Sequence, residues 1–179
     1  MKTSALQEFA VAPPTAHAWL FIGALGVLPL AIGGTLLLTQ PDVGAELREA
    51  WPALAILPLV LAGLALMMRR RRVELRGGTL EVRAAMYRKR VAAGELDLER
   101  ARTVDLAERT DLRPLVKTNG MSMPGFHAGH FRLREGLGKA FCLLTDRSRV
   151  LWLPLRDGKG QLLLSLERPQ ALLDALRAR

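Results

Sequence analysis

The sequence predicts a membrane-anchored α+β protein: two transmembrane helices near the N-terminus, then a β-rich domain closed by a C-terminal helix. Three observations predict it. Residues 16–38 and 51–68 are almost free of charge. Residues 69–179 hold 24 Lys and Arg against 13 Asp and Glu, a net charge of +11, and alternate apolar with polar positions. Four arginines in a row, Arg69, Arg70, Arg71 and Arg72, stand at the junction. The chain divides accordingly into a tail at 1–15, a helical hairpin at 16–68 and a domain at 69–179.

The first apolar run has one ionisable residue, His17, at its edge. As a helix it reaches about 34 Å, enough to cross a hydrocarbon core of about 30 Å. The run at 51–68 reaches about 27 Å, short but adequate. Pro29, Pro58 and the pair Gly33 and Gly34 weaken a helix in water, but a bilayer offers the backbone no competing solvent. Trp19 and Trp51 lie near run ends, where indole rings favour the interface. A cleaved signal peptide needs a basic start and a shorter, earlier apolar run; here only Lys2 precedes it.

Positive charge flanking a span is retained on the cytoplasmic side, so residues 69–72 orient the hairpin. Two spans return the chain to its starting side. Both termini are then expected at the inner face of the cytoplasmic membrane, with the acidic connector 39–50 outside. The same arginines also attract anionic headgroups, by about 1 kcal/mol each. A nucleic-acid role is not expected, because no aromatic residues are interleaved with them to stack on bases.

The domain opens with a hairpin, Val73 and Leu75 then Gly77–Gly78 then Leu80 and Val82. Further strands are expected near 86–91 and 102–107, although 95–109 fits a helix equally by charge spacing. Residues 108–127 read as a long loop, with Pro114, Asn119, Gly120, Pro124 and Gly125 as breakers. Phe131 and Leu133 alternate with His130, Arg132 and Arg134. The runs 141–145 and 150–155 are apolar without alternation, as in strands covered on both sides, with turns expected at Glu135–Gly136 and 146–148. A strand at 161–166 leads to a helix opened by Pro169, whose Leu172, Leu173 and Leu176 form one apolar stripe. Several strands closed by one amphipathic helix is a barrel-with-cap plan.

The order of Gly120, Pro124 and Gly125, then Gly129 and Phe131, then Thr145 and Asp146, then 150–153 and 169–176, resembles bacterial pleckstrin-homology-like domains that follow membrane spans. The likeness covers roughly 73–178. It implies a PH-like β-barrel or sandwich capped by the C-terminal helix and tethered to a membrane, and it brings no catalytic residues.

Chemical signals are sparse. The single cysteine, Cys142, excludes an internal disulfide and lies in an apolar run, as a buried inert thiol does. His127 and His130 invite a metal reading, but a zinc site needs three or four ligands. Ser122 lacks the Gly-x-Ser-x-Gly elbow, and Gly77–Gly78 lacks the lysine and helix of a phosphate loop. No cofactor and no enzymatic activity are expected. The segment 112–126 draws attention because Met121, Met123 and Phe126 are apolar among breakers, with Arg113 and Lys117 upstream. It either reaches the membrane surface or a partner, or folds back to complete the core. The expected role is a non-enzymatic interaction domain, binding a protein partner or itself. The alternatives are an anionic-lipid-binding module and, third, a metal-dependent membrane enzyme.

Overall fold

The computed structural model describes residues 6–39, 44–134 and 138–178. The expected turn at Glu135–Gly136 and part of the expected connector lie outside them. Helix α1 (Ala16–Thr39) and helix α2 (Gly44–Arg69) form an antiparallel pair. Their backbones approach at Gly26, where a Cβ would come 2.9 Å from Leu61 Cδ1. Among the described residues one helix, over Ala16–Leu36, is long and apolar enough to cross a membrane, and most of its surface is exposed. Its hydroxyls are satisfied within the helix: Thr35 Oγ1 donates to Ala31 O at 2.8 Å and Thr39 Oγ1 to Thr35 O at 2.9 Å. Helix α2 starts earlier than the apolar run at 51, because 44–50 is built of good helix formers. The expected span at 51–68 lies inside α2, and Ala55–Arg69 is an apolar stretch of it among the described residues.

The first sheet is a meander of β2 (Arg71–Arg76), β3 (Thr79–Ala84) and β4 (Tyr87–Ala92), with the Gly77–Gly78 turn where expected. Val73, Leu75, Leu80, Val82 and Val91 face inward, and Glu74, Arg76, Glu81, Arg83, Arg88 and Arg90 face outward. On that outer face Arg83, Arg88 and Arg90 grip Glu81 at 2.7, 2.7 and 2.9 Å and hold its carboxyl down at about 2.

The tail contributes a fourth strand that the sequence does not announce. Strand β1 (Gln7–Phe9) pairs antiparallel with β2, Gln7 opposite Leu75 and Phe9 opposite Val73. The chain then crosses to the second sheet. Ala12 N donates to Ser165 O at 3.1 Å, Glu167 N to Ala10 O at 3.0 Å, and Thr145 Oγ1 to Ala12 O at 2.7 Å. The Ser165 hydroxyl, itself buried, donates to Asp146 O at 2.7 Å.

The second sheet has the order β5-β9-β10-β8-β7-β6. It is built from β5 (Arg102–Val104), β6 (Pro114–Met123), β7 (Phe126–Leu133), β8 (Lys139–Leu144), β9 (Val150–Pro154) and β10 (Gln161–Ser165). Only the β8–β10 pairing is parallel. The unbroken apolar runs follow from burial of both faces. Phe141, Leu143, Leu151, Leu153, Leu162 and Leu164 join the first sheet and the stripe of α3 (Pro169–Arg177) in one core. Phe131, Leu133, Cys142, Leu144, Trp152 and Leu163 form a second core with Leu106 and Leu112. No continuous ladder joins the sheets among the described residues; isolated bridges at Val11–Leu166 and Leu96–Leu155 stitch them.

One expectation is corrected and one open reading is decided. The long loop at 108–127 contains β6, and Pro124–Gly125 is the tight turn of a β6–β7 hairpin. Gly120 is a point of close approach rather than a breaker: a Cβ there would lie 2.7 Å from Ala128 O. The undecided stretch 95–109 is a 3-10 turn followed by β5 and further turns. Helix is excluded there because Arg156 N donates to Glu95 O and Asp97 N to Pro154 O, both at 2.9 Å, tying the segment to the end of β9.

Candidate functional site

Most of the residues singled out in the sequence gather where the helices meet the sheets. Ala18, Ile22 and Met68 are buried in the same core as Met123 and Phe126. The tip of the β6–β7 hairpin therefore rests on the first turn of α1. At Gly125 a side chain would collide with the Thr15 hydroxyl and approach Ala18 N to 3.3 Å. Met123 and Phe126 are thus core residues, and Met121 is partly buried against them. As binding residues Met123 and Phe126 are corrected: their burial leaves no surface to offer, while Met121 keeps partial exposure.

The arginine run does not act as four equivalent charges. Arg69 ends α2 and Arg70 follows it, both exposed. Strand β2 then sends its side chains alternately to opposite faces. Arg71 turns inward, its guanidinium donating to Met68 O at 3.3 Å, and burial pushes its pKa down. Arg72 turns outward to Glu8 at 3.0 Å and Glu74 at 3.2 Å. Beside them the β3–β4 turn hydrogen-bonds to Arg70 O through Ala85 N at 2.8 Å and exposes Met86 to 67%.

Arg113 lies at the other end of β6. It donates to Ala107 O at 2.8 Å and to Leu106 O, pinning the segment that covers the second core. Its role is to hold backbone in place. Lys117 is exposed on β6, as are Leu115 at 60% and Val116 at 48%. These last two were missed in the sequence, because an apolar pair inside an expected loop carries no periodicity.

The histidines cannot hold one ion together. Three apart on β7, they project to opposite faces: His127 packs edge-on against Phe131 at 5.9 Å, and His130 against Phe141 at 5.0 Å. Among the described residues no group of three metal-ligating side chains converges. Burial pushes the Cys142 thiol far above its usual range, leaving it unreactive.

Ser122 Oγ does lie 2.8 Å from His127 Nδ1, a pairing that invites a nucleophile reading. Arg147 decides against it. Its guanidinium approaches His127 Nε2 at 3.2 Å and only donates, so Nε2 is unprotonated and Nδ1 carries the hydrogen. The ring therefore donates to Ser122 and takes no proton from it. Burial first, and Arg147 second, push the His127 pKa from 6.5 down to about 4.

That shift makes stability depend on pH with a definite sign. Between 6.5 and about 4 the unfolded chain binds a proton at His127 that the folded chain does not. Stability is full above that window and is lost as pH falls through it. About 2 kcal/mol should disappear between pH 7 and 5, and His127→Gln should flatten most of the slope. Urea unfolding of detergent-solubilised protein at the two pH values measures it; an identical slope in the variant refutes the assignment.

Compared with known proteins, the chain matches no family model, no curated protein and no solved structure.

Proposed function

We propose that the chain is a membrane-tethered, non-enzymatic interaction module of PH-like plan, held at the inner face of the cytoplasmic membrane. The observation that carries this reading is the pairing of β1 with β2 across the helical hairpin, Gln7 opposite Leu75. The residues before α1 and after α2 lie in one sheet, so any crossing by α1 must be reversed by α2. Helix α1 leaves Leu20, Val27, Leu28, Leu30 and Ile32 more than half exposed, a cost that a bilayer removes. The apolar run of α2 at 51–68 reaches about 27 Å, and flanking residues or local bilayer thinning accommodate so short a span. Exposed Arg69 and Arg70 favour the cytoplasmic side for the domain. Reporter fusions at residues 45 and 179 should give opposite sidedness; an external C-terminus overturns the orientation.

The partner surface we favour is the outer edge of β6, which carries exposed Leu115, Val116 and Lys117 and among the described residues pairs only with β7. A sheet edge presents unpaired backbone groups to another chain or another copy. A photo-reactive residue at 115 should give a discrete adduct in native membranes, weakened several-fold by Val116→Lys. An adduct pattern identical to that from position 76, on the outer face of the first sheet, sinks this surface.

The anionic-lipid alternative has its own support in Met86 beside exposed Arg69 and Arg70. It predicts that loss of Arg70 together with Met86→Asp weakens binding of detergent-free protein to anionic vesicles in a salt-sensitive way. The metal-dependent alternative loses its geometric basis with the separation of His127 and His130.

A further inference from the structure

The two sheets part beyond the contact of Tyr87 with Gly129, and a cleft of about 560 Å³ opens between β4 and the β7–β8–β10 part of the second sheet. Its volume lies within the range of small-molecule sites, about 300–1,000 Å³. The floor is apolar, with Phe141, Leu155 and Leu162. The walls bring Lys89 from β4, Lys139 from β8 and Lys159 from the β9–β10 turn to one opening, next to Arg132. None of the three lysines has a carboxylate at ion-pair distance among the described residues. The one acid in the lining, Asp157, accepts from the Lys159 backbone N at 2.9 Å.

Like charges gathered from separate strands repel, and Leu155, partly exposed beside buried Phe141 and Leu162, leaves apolar surface in water. One ligand relieves both. His130 adds a reporter at the base of the cleft. Its Nδ1 is shut off from solvent without a hydrogen-bond partner among the described residues, and burial, then Lys89, lower its pKa.

We propose that this cleft binds a small water-borne organic anion, its phosphate or carboxylate group between Lys89 and Lys159 and its apolar body on Leu155. The fold selects the water-borne source. The tail leading into α1 touches the far ends of β8 and β10, at Thr145 and Ser165. The cleft is lined at their opposite ends, by Ala140 and Gln161, about 13 Å away along the strands. That separation favours a ligand arriving from water over a headgroup held in a bilayer around α1.

The test uses the full chain in nanodiscs of zwitterionic lipid, with ¹³C-labelled histidine, titrated with phenyl phosphate at low salt. The charged groups facing His130 are Lys89, Arg132, Lys139, Asp157 and Lys159, so a bound dianion should raise its apparent pKa in a saturable way. Lys89→Ala with Lys159→Ala should weaken binding about ten-fold or more, and Arg76→Ala on the outer sheet face should leave it unchanged. Inorganic phosphate, without an apolar body, should bind about ten-fold more weakly. No saturable shift at His130, or equal weakening by Arg76→Ala, overturns the site. Equal affinity for inorganic phosphate overturns the amphiphilic ligand. The same shift from anionic lipid alone overturns the water-borne source.

Discussion

Replacing Gly129 with alanine is expected to unfold the β-domain. Gly129 has φ +111°, where L side chains are strained, and it sits where the backbones of β6 and β7 meet the Tyr87 ring. A Cβ there would lie 2.6 Å from Asn119 O, 2.7 Å from Gly120 Cα and 3.1 Å from the Tyr87 ring. Two of these neighbours are backbone of β6, paired with β7 on the spot, and cannot step aside without breaking the ladder. Strain and overpacking together should cost more than about 3 kcal/mol. Gly158→Ala separates the two causes. That residue also has positive φ, +66°, but nothing lies within 4 Å of its added Cβ. Its cost should be about 1 kcal/mol. Urea unfolding followed by Trp152 fluorescence reads both; a Gly129→Ala protein as stable as Gly158→Ala refutes the crowding.

Deleting residues 6–12 should cost nearly as much, although the tail is short and weakly hydrophobic. The deletion removes the β1 ladder, the contact of Phe9 and Val11 with the core, and the acceptor of the buried Thr145 hydroxyl. It also removes one of the two isolated bridges that stitch the sheets. The expected loss is about 3–5 kcal/mol, with hydrogen exchange accelerated first in β2 and β10. Exchange accelerated only in α1 would show that the tail belongs to the helices alone. By the same reasoning a 69–179 fragment lacks a strand of its own sheet and is a poor stand-in for the protein in binding experiments.

The membrane-proximal residues illustrate why reading sites from sequence succeeded only in part. Arg69–72 is conspicuous as a run, yet a strand begins within it, and the pleat assigns Arg71 and Arg72 to opposite faces. Met123 and Phe126 are conspicuous because apolar residues stand among Pro and Gly. The breakers Pro124 and Gly125 make a tight turn, and both apolar side chains flank it within the core. His127 and His130 stand three apart, a spacing that meets on a helix and separates on a strand. The cleft left no trace, since Lys89, Lys139 and Lys159 are ordinary surface residues until pairing brings their strands to one opening.

What the residues determined by themselves was the placement of apolar mass: an uncharged helix at Ala16–Leu36, the Gly77–Gly78 hairpin, the two-sided apolar strands and the leucine stripe of α3. These follow from local periodicity and from excluding charge from apolar surroundings, which each segment carries alone. The tertiary structure decided how β1, β6 and the helix bases join that scaffold. Strand pairing is non-local: β1 finds β2 more than sixty residues away, and only the assembled sheet offers Gln7 its partner Leu75. Strand β1, three residues long, and β6, interrupted by Asn119 and Gly120, have no regular hydrophobic alternation of their own and form because a ready edge satisfies their backbone groups. The outer edge of β6 and the basic cleft are products of that assembly.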